Sequence, residues 1–166
     1  MSDPMSVEAI LSSMIEVAVG VAGFAGIIAA VRQRNLEHWP DDQLILLRIL
    51  VTASAATILF SLAPGLFAQA GLGSPAVWRA CSGALLVWQL VIGLRRVRQV
   101  RDSGTKMRAP PMIFVWIVGA ALLQAANLRL ALSWPYLLGV LSLLANGFAA
   151  FVGLLFGASA EREPQA

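Results

Sequence analysis

Five stretches of this chain are apolar over the length that a helix needs to cross a bilayer: residues 7–31, 43–70, 75–94, 111–131 and 135–157. Roughly 20 helical residues cover a hydrocarbon core about 30 Å thick. The chain therefore reads as all-α, an integral membrane helix bundle of five transmembrane helices forming a single domain over 1–166. Gln124, Asn127 and Arg129 interrupt the second half of the fourth stretch. If that stretch does not cross, four spans remain.

Charge content supports the same reading. Charged residues make up 13% of the chain and hydrophobic ones 58%, whereas a soluble domain carries about a quarter charged. So few charges cannot cover a water-soluble surface, and so much apolar content rules out a disordered chain. The net charge of +3 sits in one basic run over 95–108, without the interleaved aromatics that grip a nucleic acid strand. No nucleic-acid partner is expected.

Cys81 is the single cysteine and His38 the single histidine. An intrachain disulfide and a Cys-based metal site are thereby excluded. A bis-histidine haem, a zinc centre of histidines or a Ser-His-Asp triad is hard to assemble. His38 lies beside Glu37, Asp41 and Asp42, which reads as a solvated loop. Neither a metal nor a cofactor is expected. Without paired acids or a nucleophile–base pair, no enzyme is expected either.

Lys and Arg counting sets the orientation. Arg32, Arg34, Arg48, Arg95, Arg96, Arg98, Arg101, Lys106, Arg108 and Arg162 fall on one side, and Arg79 and Arg129 on the other. The basic loop 95–110 and the C-terminal tail are then cytoplasmic and the N-terminus is outside. The first stretch lacks a basic flank and is too long for a signal peptide's apolar region, so it reads as a retained span. Arg supplies all the basic residues but Lys106, a usage that suggests a GC-rich genome and a bacterial inner membrane. Trp39, Trp78, Trp116, Trp134 and Tyr136 fall near the span ends, where aromatic rings anchor at the interface.

Helix starts are marked by Ser74-Pro75, Pro110-Pro111 and Ser133-Trp134-Pro135, with Asp41 or Asp42 before the second span. A capping side chain or a proline without N–H suits a first helical turn. The third helix is predicted to continue beyond the membrane to about Arg101. Arg95, Arg96, Arg98 and Arg101 are then candidates for contact with lipid headgroups; the plainer reading is a topology signal.

Glu16 is the most informative polar residue. It lies ~12 Å below the outer surface at 1.5 Å per residue. A carboxylate at the bilayer centre costs about 2.5–3.5 kcal/mol. At 100° per residue its stripe contains Ala9, Ser12, Gly20 and Gly23, and the opposite stripe Ile10, Met14, Val17, Val21 and Ile28. The small stripe is expected to pack inside, carrying Glu16 with it, while the bulky one meets lipid. The fifth span repeats the design, with Asn146 on a stripe of Gly139, Ser142, Ala150, Gly153 and Gly157. Gln124 and Asn127 share a face of the fourth.

Two functions follow from these residues. The first is a non-enzymatic membrane subunit or scaffold that acts through helix packing, its partners being lipids and a second copy or another membrane protein. The alternative is a small ion or solute transporter or channel, with Glu16, Gln124, Asn127 and Asn146 as its ligand or ion site. Interhelical hydrogen bonding by these side chains favours the first. A transporter more often shows several intramembrane acids or paired broken helices.

Overall fold

The computed structural model describes residues 6–32, 41–102 and 111–160. Among them five helices follow in order: α1 (Val7–Arg32), α2 (Asp41–Gln69), α3 (Ser74–Asp102), α4 (Pro111–Leu130) and α5 (Ser133–Ala160). Four contain segments long and apolar enough to cross a membrane: Val7–Ala30, Gln43–Gln69, Ser74–Arg95 and Ser133–Leu155. The α3 helix runs past its apolar part to Asp102, so Arg95 and Arg98 stand exposed on helix. The side chains of Arg96, Arg101 and Trp116 lie outside the described residues, as do His38, Trp39 and residues 103–110.

The helix ends are closed by local chemistry. Ser6 caps α1: its hydroxyl accepts from the Ala9 amide at 3.2 Å and its carbonyl from the Ile10 amide at 3.1 Å. After α2, Gly71 takes a positive φ of 86°. The Leu72 amide reaches back to the Phe67 carbonyl at 3.2 Å and the Gly71 amide to Ala68 at 3.0 Å. This is the Schellman pairing, and it satisfies carbonyls that the helix would otherwise leave open.

The α4–α5 turn is tighter and less ordinary. Ala131 sits at φ 54°, where a side chain crowds its own backbone at a cost of roughly 1–2 kcal/mol. Glycine avoids that cost but loses more entropy on folding. Ala131→Gly is therefore expected to raise stability by about 0.5–1 kcal/mol, read as an upward shift in thermal unfolding in detergent. A lower midpoint would show that the turn is not strained.

The helices form two compact units, one of Met1–Ser61 with Leu141–Ala166 and one of Leu62–Val140. In the first, α1 buries Leu11, Met14, Ala18, Val21 and Ala25. Their spacing of three and four residues is the 3.5-residue period that keeps one seam toward a neighbouring helix. Val21 and Ala25 meet Leu50, Ala150 and Leu154, with Leu46, Leu47, Ile49 and Phe151 packed around them. Within this unit α5 approaches α2 closely through glycines. A Cβ on Gly147 would lie 3.4 Å from that of Ala53 and 3.9 Å from the Leu50 carbonyl oxygen, and one on Gly153 would lie 3.2 Å from Leu46.

In the second unit α3 packs on α4, and the first turns of α5 close over both through side chains described next. Pro64 lies inside α2 and is buried there.

Candidate functional site

A group of buried, hydrogen-bonded polar side chains lies in the second unit, with Asn127 of α4 at its centre. Its amide nitrogen donates to the Ser82 hydroxyl of α3 at 2.7 Å and to the Leu132 carbonyl at 2.9 Å. Its oxygen accepts from the Leu132 amide at 2.9 Å. One fully buried side chain thus holds the backbone of the α4–α5 turn and ties it to α3. The turn leaves the Leu132 N–H and C=O outside any helix, and such groups at helix ends are met by side chains or by water. Asn127 offers the donor and acceptor they need.

Gln124 stands one turn earlier on the same face. Its amide nitrogen donates to the Pro135 carbonyl in the first turn of α5 at 2.7 Å. Its Oε1 is buried without a hydrogen-bond partner among the described residues. The amide runs directly over Gly139, where an added Cβ would collide with it and lie 2.6 Å from Leu85. Glycine at 139 is what lets Gln124 reach α5.

Tyr136 completes the group, and its position corrects an expectation. It is fully buried rather than anchored at an interface. Its ring packs on Trp78 at a centroid distance of 5.9 Å, and its hydroxyl is hydrogen-bonded to the Cys81 thiol. A buried tyrosine needs a partner for its hydroxyl, and α3 supplies one a single helical turn after Trp78. Trp134, by contrast, is exposed.

Asn146 belongs to the first unit. It is half-buried and its amide donates to the Ser142 carbonyl of its own helix at 2.8 Å. On α2, Ser54, Thr57 and Ser61 are buried along one face. Thr57 bonds back to the Ala53 carbonyl at 2.9 Å, while the Ser54 and Ser61 hydroxyls have no hydrogen-bond partner among the described residues. The sequence reading missed these hydroxyls; their spacing of three and four residues was the available signal.

Glu16 overturns the expectation that it faces the interior. It is exposed, and so are Ala9, Ser12, Gly20 and Gly23 on its stripe. Of the bulky stripe, Met14 and Val21 are buried instead, Ile10 and Ile28 are half-buried and Val17 is exposed. The reason is the seam of α1. Ala18 and Ala25, both fully buried, give α1 a second set of small residues, interleaved with Leu11, Met14 and Val21. That seam allows close approach and also buries apolar bulk, which the glycine stripe cannot do. Of the four residues expected to share a site, Gln124 and Asn127 are neighbours on one face. Asn146 and Glu16 lie in the other unit, one against its own helix and one facing outward.

Among the described residues no group of three or more His, Cys, Asp and Glu side chains could hold a metal ion. Compared with known proteins, the chain matches no family model, no curated protein and no solved structure.

Proposed function

We propose that the protein is a non-enzymatic, multi-pass component of a bacterial inner membrane, a small subunit or scaffold that acts through helix packing. The observation that carries this reading is how the polar side chains are used. The amide nitrogens of Asn127 and Gln124 are bonded to backbone of the α4–α5 turn and the first turn of α5. The intramembrane acid, Glu16, faces outward. Polar groups that fasten turns stabilise one arrangement, whereas a transport pathway needs groups that exchange partners.

In this reading all five helices cross the membrane, with the basic loop after α3 and the C-terminus in the cytoplasm. Arg95, Arg96, Arg98 and Arg101 then meet the anionic leaflet, where each basic residue adds about 1 kcal/mol of attraction. Purified protein in liposomes under a proton or sodium gradient is expected to pass no more ion than empty liposomes do. Flux above that background, abolished by Glu16→Gln, would replace this reading with a transporter or channel.

A further inference from the structure

The outward side of α3 changes chemistry where the helix leaves its apolar part. Val87, Val91, Leu94, Arg95 and Arg98 are all exposed. At about 100° per residue they fall within one arc of roughly 100°, so apolar side chains and guanidinium groups share one side of a continuous helix. Along the axis the two kinds are separated, with the apolar residues first and the arginines last. The rise from Ser74 to Arg95 is ~32 Å at 1.5 Å per residue, slightly more than a hydrocarbon core of about 30 Å. Arg95 therefore comes level with the phosphates of one leaflet, and Arg98 stands one turn beyond. Val87 lies ~12 Å below Arg95, within the depth of a single leaflet, about 15 Å. Arg96 and Arg101 follow on the same helix end, and Asp102 is the sole acid there, so the positive charge is not cancelled locally.

We propose that this side of α3 binds an anionic phospholipid, with its phosphate held by Arg95 and Arg98 and its acyl chains lying along Val87, Val91 and Leu94. The inference rests on the reading above, in which α3 crosses the bilayer, and names the lipid that its basic end selects. The two halves of the stripe call for an anion and hydrocarbon on one molecule. An acidic protein or a nucleic acid in water would meet the arginines and leave the apolar residues unmatched. An uncharged lipid would match the apolar residues and leave the arginines. Each guanidinium is a planar fork that can give two parallel hydrogen bonds to phosphate oxygens. A zwitterionic headgroup brings its own ammonium group, which the arginines repel; an anionic one does not.

The test uses the purified full chain in uncharged detergent micelles, where insertion topology plays no part. Dioleoyl phosphatidylglycerol or dioleoyl phosphatidylcholine is titrated in, and bound lipid is counted by native mass spectrometry. Phosphatidylglycerol is expected to bind in preference. Arg95→Gln with Arg98→Gln should lower its affinity about thirtyfold, two residues at the ~1 kcal/mol each of juxtamembrane basic side chains. Arg95→Lys with Arg98→Lys keeps the charge and loses the fork, and should fall between the two. The pair Arg79→Gln and Arg129→Gln, which removes two exposed arginines off this stripe, should leave affinity within about twofold of wild type. Excess glycerol phosphate, which has the anion without the acyl chains, should not displace the lipid. Equal binding of the two lipids, equal loss from both Gln pairs, or displacement by glycerol phosphate would overturn the site. Any of these in a chain that passes no ions would leave the scaffold reading standing. Glu16-dependent ion flux would overturn that reading, whichever lipid is bound.

Discussion

Asn127→Leu is expected to cost about 3 kcal/mol of stability, roughly 1 kcal/mol for each hydrogen bond lost. The side chain makes bonds to the Ser82 hydroxyl, the Leu132 carbonyl and the Leu132 amide. Leucine has the same number of side-chain heavy atoms and is the bulkier of the two, so none of the loss is cavity. Most of it comes from leaving the Leu132 peptide groups without partners in a turn where Ala131 is already at positive φ. Ser82→Ala removes only the bond between helices and should cost about 1 kcal/mol. Both are measured as unfolding free energies in mixed micelles titrated with denaturing detergent. If Asn127→Leu costs no more than Ser82→Ala, the turn does not depend on this side chain.

Gly139→Val is expected to cost about 2–4 kcal/mol, combining overpacking of a buried site with loss of the Gln124–Pro135 bond. A Cβ at 139 collides with the Gln124 amide and comes within 2.6 Å of Leu85. Both neighbours are fully buried, so neither has open space to enter. Gly139→Ala should show the same effect at a smaller size. Shortening the obstructing side chain with Gln124→Ser should recover part of that loss, a coupling that a double-mutant cycle measures. Strictly additive single effects would mean that Gly139 and Gln124 do not compete for the same space.

The number and kind of helices follow from sequence, because apolar length and charge scarcity act locally and need no partner. So does the continuation of α3 through Arg95 and Arg98, where nothing breaks the helix. The role of Asn127 was legible only in part. A polar residue late in an apolar helix announces an interhelical bond, but the α4–α5 turn it holds exists only once both helices are placed. Tyr136 read as an interfacial anchor from its position near a helix start. Its burial depends on Cys81 and Trp78, which lie far earlier in the chain.

The α1 and α5 helices show where sequence ends and tertiary structure decides. Each carries a stripe of small residues interrupted by one polar side chain, Glu16 on α1 and Asn146 on α5. By pattern alone both stripes should pack inward. On α5 the stripe is buried at Gly139, Ser142 and Ala150, because Gly139 admits Gln124 and Leu85 and Ala150 joins the apolar core with Leu50. On α1 the stripe is exposed, because the Leu11, Met14, Ala18, Val21 and Ala25 seam offers close approach and apolar area together. Sequence determined that each helix has a small face. Which face was buried depended on the surface each could bury against its neighbours, a property of the packed helices rather than of either helix alone.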